Sequence, residues 1–164
     1  DLDALRENLR TLAAHAAPAR LMLVVKADAY GHGMLRCAAA AGVRDVFMTA
    51  GCAFAWSAKT LRAAMGAHFH LNIVEHCTFE SVQARLQVPL LATSSHAKQA
   101  VFDVPLDTPV GWVFGNEGAG VSDEWLAVVT TPVVIPQPGG MESLNVAAAA
   151  AICLFEAVRQ RRAG

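Results

Sequence analysis

Short apolar runs separated by polar or glycine-bearing segments recur along the whole chain, and their spacing switches repeatedly between the strand period and the helix period. Leu2, Leu5, Leu9 and Leu12 fall at helical spacing, which predicts a helix over 2–16 closed by Pro18. A strand is predicted over 21–25, a polar loop over 26–33, and a helix over 34–41 ended by Gly42. Further strands are predicted at 46–50, 71–74, 90–93, 111–114 and 133–135. Between them lie helices at 57–65, 79–86 and 123–128, a short helical or loop segment at 96–102, and a closing helix over 145–161. Short strands alternating with helices predict one α/β domain over 1–164, with a mainly parallel sheet covered by helices on both faces. Ligands of such sheets bind beyond the carboxyl ends of the strands.

Two glycine-bearing runs fall at those ends. Val113-Phe114-Gly115-Asn116-Glu117-Gly118-Ala119-Gly120 leaves one strand, and Ile135-Pro136-Gln137-Pro138-Gly139-Gly140-Met141-Glu142-Ser143-Leu144-Asn145 leaves another. Glycine there lets backbone N–H groups come close to a ligand. The second run feeds directly into the alanine-rich helix, and a helix N-terminus attracts carboxylates and similar anions. Together the loops predict two walls of one pocket.

Composition narrows the function classes. The 164 residues are 54% hydrophobic, yet the apolar runs are short and interrupted, which predicts no membrane span. A net charge of −1 gives no global attraction to nucleic acid, so any RNA binding must rest on local patches or on a dimer. Cys37, Cys52, Cys77 and Cys153 are scattered without metal-type pairing, which predicts reduced thiols in the cytoplasm. His68, His70 and His76 have no metal spacing, and His68 and His70 alternate as in a strand. Trp56 and Trp125 read as core or dimer-packing residues before RNA-stacking ones. Arg159, Arg161 and Arg162 form a basic cluster at the end of the last helix, favourable to its dipole.

From about Gly42 to Arg161 the chain resembles the SpoU branch of the SPOUT RNA methyltransferases. The resemblance is carried by Gly115-Asn116-Glu117-Gly118-x-Gly120, by Ile135-Pro136, by Glu142-Ser143-Leu144-Asn145-Val146-Ala147, and by Arg62 with Gly66-Ala67-His68-Phe69. It implies an α/β fold with a C-terminal trefoil knot, S-adenosylmethionine bound at the knot, a homodimer, and methyl transfer to a ribose 2′-hydroxyl of rRNA or tRNA. By position, Thr93, Gly115, Asn116, Glu117, Gly118, Ile135, Met141, Ser143, Leu144 and Ala147 would line the cofactor pocket. Glu117 and Asn145 would serve its catalytic end. Arg36, in Arg36-Cys37-Ala38-Ala39-Ala40-Ala41-Gly42-Val43, matches the family's first-motif arginine and is the catalytic candidate. A guanidinium holds its proton tightly, so a neighbouring phosphate would have to assist it as base. No RNA-binding module of the family type precedes the domain, which predicts weak affinity for RNA.

The family's first motif opens with Asn-x-Gly, whereas this chain has Ala27-Asp28-Ala29-Tyr30-Gly31-His32-Gly33-Met34-Leu35-Arg36. That departure predicts impaired turnover. Residues 1–33, ending in Val24-Val25-Lys26-Ala27-Asp28-Ala29-Tyr30-Gly31-His32-Gly33, look like the start of alanine racemase, where the lysine matching Lys26 holds pyridoxal phosphate. The chain therefore reads as a chimera or fusion joined between residues 31 and 41. Its alternative reading is a recombinant fold that keeps the knot and the cofactor pocket without turnover.

Overall fold

The computed structural model describes residues 22–25, 33–115, 120–140 and 143–163. Six strands form one sheet: β1 (Met22–Val25), β2 (Asp45–Thr49), β3 (Asn72–Cys77), β4 (Leu90–Thr93), β5 (Gly111–Phe114) and β6 (Thr131–Val133). Their spatial order is β3-β2-β1-β5-β4-β6, and every pairing is parallel. The helices are α1 (Met34–Ala40), α2 (Ala58–Ala64), α3 (Phe79–Gln83), α4 (Asp123–Leu126) and α5 (Val146–Ala163). Two 3₁₀ turns, Ala67–Phe69 and Val101–Asp103, complete the set.

The strands alternate their side chains between two cores, as the pleat requires. Val46, Met48, Leu91, Trp112 and Phe114 face one core, together with α1, α5 and the buried Ala55, Ala64 and Ala67. Phe47, Leu90, Ala92 and Val113 face the other, where Val82 of α3 and Trp125 of α4 cover them. Phe79 meets Trp125 edge-on at 4.9 Å, so Trp125 is only 1% exposed. The small buried residues Ala38 of α1 and Ala150, Cys153 and Ala157 of α5 let these two packed helices approach the sheet and each other.

The sequence of strands runs outward from β1 to β3 and then restarts on the far side with β4 and β5. The order therefore reverses between β1 and β5. A crevice at such a switch point is where α/β sheets place ligands. Among the described residues no helix is long and apolar enough to cross a membrane.

Several expected boundaries move. The last strand occupies Thr131–Val133 instead of 133–135, because pairing with Leu91, Ala92 and Thr93 sets its register. Pro132 is tolerated because β6 is an edge strand. Val134 turns instead to Gln99 and Val101: its carbonyl accepts from Val101 N–H, and its own N–H donates to Gln99 O. β3 continues past residue 74 to Cys77 through His76, a non-glycine residue at φ 56°, where the pairing with β2 slips. α3 stops at Gln83 as Arg85 and Leu86 tighten into i+3 turns. His68 and His70 lie in and just after a 3₁₀ turn, not in a strand. The helix expected at 2–16, His32 and Lys26 lie outside the described residues.

Candidate functional site

The loop after β5 is closed on its own backbone. A Cβ built on Gly115 would overlap the Gly120 carbonyl group and the Val121 nitrogen, so only glycine fits there. Gly120 itself has φ +66°, a left-handed value that a side chain would strain. Asn116, Glu117 and Gly118, between these two pinch points, lie outside the described residues, as does Met141.

The loop after β6 starts two strands away along the same edge, with β4 between them. Ser94, just past Thr93 at the end of β4, donates its N–H to Val133 O and so ties the β4 and β6 exits together. Thr93 is half-buried there, and Ile135 is buried. Gly140 N–H donates back to Gln137 O, which turns the chain toward α5. Leu144 packs on the core from the partly buried side, and Ala147 is buried in the first turn of α5. Ser143 is exposed.

Asn145 is the N-cap of α5. Its Oδ1 accepts from Ala147 N at 3.0 Å and Ala148 N at 3.3 Å, satisfying two donors that the first turn leaves without helical partners. A position expected to serve the catalytic end therefore has its side-chain oxygen committed to holding the helix. That oxygen fixes where Ser143, Leu144 and Ala147 stand relative to one another.

Arg36 lies in the first turn of α1, at the same edge of the sheet, and α1 packs alongside α5. Its side chain is exposed and makes no hydrogen bond or ion pair with another described residue. Gly33, the N-cap of α1, offers no side chain to the helix. Arg36 is thus free to meet a ligand at the switch point. Asp45 is engaged elsewhere, accepting from Asn72 Nδ2 at 3.0 Å.

Among the described residues, three buried side-chain polar atoms have no hydrogen-bond partner, His68 Nδ1, Trp112 Nε1 and Gln137 Oε1, and the last of them lies in the loop after β6. An unmet acceptor beside a glycine loop is costly unless an N–H or O–H donor arrives. The half-buried threonine, the apolar surface of Ile135, Leu144 and Ala147, and this orphan acceptor suit a ligand with a flat apolar body and peripheral donors. No group of three metal-ligating side chains occurs among the described residues.

The loop after β2 also reaches this edge. Ser57 caps α2 by accepting from Thr60 N, and Thr60 Oγ1 donates to Phe54 O. Ala55 N–H donates to Glu75 Oε1 at 2.7 Å, while Ala55 O lies 2.8 Å from His68 Nε2. The loop is thereby pinned through both backbone polar groups of Ala55. Trp56 stands out from it, 51% exposed, so it is not a core residue of the single chain.

The clearest titration shifts lie away from these loops, on α5. Arg159, which donates two hydrogen bonds to the Glu156 carboxylate, holds that carboxyl below the usual range. Burial pushes the Cys153 thiol up to about 12. Near the end of the helix, Gln160 bonds both Leu106 N and Val104 O, and Arg161 donates to Leu106 O and Thr108 O. The basic cluster is thus partly a clamp on residues 104–108, with burial lowering the pKa of Arg161.

Known proteins resemble the chain over most of its length. A family model described as the SpoU rRNA Methylase family matches residues 30–155. The 23S rRNA (guanosine(2553)-2′-O)-methyltransferase RlmP of Bacillus subtilis is 36% identical, covering 74% of this chain and 50% of its own length. The 23S rRNA (guanosine-2′-O-)-methyltransferase RlmB of Vibrio vulnificus is 33% identical, covering 93% of this chain and 63% of its own. The crystal structure of the SpoU methyltransferase AviRb from Streptomyces viridochromogenes in complex with AdoMet superposes with a TM-score of 0.80 at 31% identity. It covers 89% of this chain and 62% of that one. The chain spans about half the length of several curated relatives it matches. The alanine-racemase reading of residues 1–33 gains no support from these matches.

Proposed function

The chain belongs to the SpoU rRNA Methylase family, and from that membership we propose that it is an S-adenosylmethionine-dependent RNA methyltransferase domain acting on a ribose 2′-hydroxyl of rRNA or tRNA. The observation that carries this reading is that the Gly115–Gly120 pinch, the β6 exit and the Asn145-capped start of α5 all lie along the carboxyl edge of one parallel sheet. AviRb, with the same fold, is described in complex with AdoMet.

When bound, S-adenosylmethionine supplies a methyl group on a positively charged sulfur. Ile135, Leu144 and Ala147 would hold the adenine, Thr93 and Ser143 would offer hydroxyls, and the backbone of Gly115, Asn116, Glu117 and Gly118 would close over the ligand. Gln137 Oε1 would accept from one of its N–H or O–H groups. Met141 completes the set. Arg36 would orient the ribose and hold the adjoining phosphate, so that the proton leaving the 2′-oxygen passes to a phosphate oxygen. Asn145 acts by capping α5, and Glu117 would serve the catalytic end of the pocket.

The proposal includes a trefoil knot formed by the segment running into α5, a homodimer, and a cytoplasmic site with Cys37, Cys52, Cys77 and Cys153 as free thiols. β1 supports a single domain, since residues 22–25 form a strand inside the methyltransferase sheet between β2 and β5. A second reading is a chimeric fold that keeps the knot and pocket without turnover. The run 27–36, which lacks the family's asparagine, favours it.

Calorimetric titration with S-adenosylmethionine tests the pocket, and transfer of labelled methyl to RNA tests the reaction. Micromolar binding with transfer supports the first reading. Binding without transfer, restored when an Asn-x-Gly segment is placed before Arg36, supports the second. No binding by the folded chain overturns both.

A further inference from the structure

Five of the eight exposed large hydrophobic side chains among the described residues fall in one stretch: Phe54, Trp56, Leu61, Met65 and Phe69. Between Asp45 and Glu75 the sequence has no acidic residue, while it has Lys59, Arg62, His68 and His70, in a chain whose net charge is −1. Exposed aromatics in a locally acid-free, basic segment fit a partner that is both polyanionic and rich in flat apolar faces. Single-stranded RNA has both properties.

The stretch is built to present its rings. Trp56 lies 4.8 Å from the His68 ring, tilted 45°, so one side is supported while about half of its surface stays open. Its neighbour Ala55 is pinned through Glu75 and His68, and Phe54 is fixed by the bond its carbonyl accepts from Thr60. The 3₁₀ turn that supports Trp56 also carries Phe69, so loop and turn form one surface. Holding a ring in place before the partner arrives removes ordering cost from binding.

Its position is matched to the proposed site. The loop leaves β2, and β2 lies two strands from β5 in the sheet. At about 4.8 Å per strand this puts the end of β2, where the loop begins, roughly 10 Å along the same carboxyl edge from the end of β5. A short stretch of single-stranded RNA bridges that distance.

We propose that Trp56 and Phe54, flanked by Lys59 and Arg62, form a stacking platform for the single-stranded nucleotides beside the target ribose. This rests on the methyltransferase reading for the location of the target. Binding itself does not, because a platform can be measured without turnover.

The test uses the whole chain and a fluorescently labelled 15-nucleotide single-stranded RNA of mixed sequence at low salt. The exposed Trp56 fluorescence is quenched on titration, and W56A weakens binding about tenfold. W56F retains most of the affinity, because a phenyl ring still stacks. R62A leaves stacking intact and lowers the slope of log affinity against log salt by roughly 0.7. Titration with S-adenosylmethionine is unchanged in all three variants. Wild-type RNA affinity in W56A overturns the platform, as does a change in its oligomeric state, which would make the patch a subunit interface. A wild-type chain that binds S-adenosylmethionine but no RNA overturns it and leaves the cofactor reading standing. RNA binding through Trp56 without S-adenosylmethionine binding sinks the methyltransferase reading and leaves the platform.

Discussion

The two edges of the sheet are built on opposite plans. At the amino edge, Gln160 and Arg161 at the end of α5 fasten residues 104–108 with four hydrogen bonds, and Asn72 and Asp45 join the starts of β3 and β2. At the carboxyl edge, the same helix is held by one capping asparagine, Arg36 stands unengaged by its described neighbours, and Gln137 Oε1 has no partner. Around α5, side-chain hydrogen bonds are dense at the amino edge and sparse at the carboxyl edge, where the proposed pocket lies; the loop after β2, at the same carboxyl edge, is instead pinned by Glu75, His68, Ser57 and Thr60. A substitution at the amino edge should therefore change stability and spare binding, and one at the carboxyl edge should do the reverse.

The largest effect expected is on turnover. Arg36→Ala lowers methyl transfer by about 10² or more, with S-adenosylmethionine affinity unchanged and the melting temperature little moved, since the side chain is exposed. Arg36→Lys keeps the charge but loses the planar fork and recovers only part of the rate. A folded Arg36→Ala chain with full activity would remove Arg36 from the reaction. Next comes Gly115→Ala. Its Cβ has nowhere to go against the Gly120 and Val121 backbone, so the loop must open and cofactor affinity falls about tenfold or more. Calorimetry reads the loss directly.

At the amino edge, Gln160→Leu leaves the Leu106 N–H and the Val104 carbonyl without their partner. The expected cost is about 2 kcal/mol, or roughly 4–8 °C in melting temperature, with cofactor binding intact. A loss of cofactor binding in that variant would show that the two edges are coupled through α5. Cys153, in the middle of the same helix, gives a pH handle on packing alone. Its thiol is pushed up to about 12, while an unfolded thiol ionises near 9. The unfolded state thus loses its proton first, and stability falls as pH rises from about 9 toward 12. Near pH 10 the difference is on the order of 1 kcal/mol, and Cys153→Ala removes that part of the alkaline slope in thermal melts. Glu156 works in the other direction. Held down by Arg159, its carboxylate stabilises the fold above the ordinary carboxyl range, and that contribution is lost as pH falls through its lowered value.

Local pattern carried the parallel sheet and the alternation of its elements, because each strand is a short apolar run ending in glycine or a polar residue. It failed where distant partners decide. Val133-Val134-Ile135 reads as a better strand than Thr131-Pro132-Val133, yet the register of β6 is set across the sheet by β4. Trp56 stands just before one short helix and Trp125 within another. Phe79 covers one of them and nothing covers half of the other, a difference made by residues far from either position. The glycine loops were legible because Gly115 has no room for a Cβ and Gly120 and Gly140 take left-handed φ values, positions that select glycine. The missing partner of Gln137 was not, since an unmet hydrogen bond leaves no mark on composition.

Asn145 tests the contrast between the edges most finely, since it is both a structural cap and a residue of the proposed pocket. As a cap it contributes about 1 kcal/mol, so Asn145→Ala should lower the melting temperature by roughly 2–4 °C. Asn145→Asp keeps an oxygen for the Ala147 and Ala148 N–H groups and should restore the melting temperature. If the cap acts by positioning Ser143, Leu144 and Ala147, cofactor affinity follows stability through both variants, falling in the first and returning in the second. If the amide also touches a ligand, Asn145→Asp melts like the wild type and still binds or turns over poorly. In the first case the carboxyl edge is organised by the same rule as the amino edge, with fewer bonds. In the second, one side chain serves both folding and binding, and the division between the edges ends at the first turn of α5.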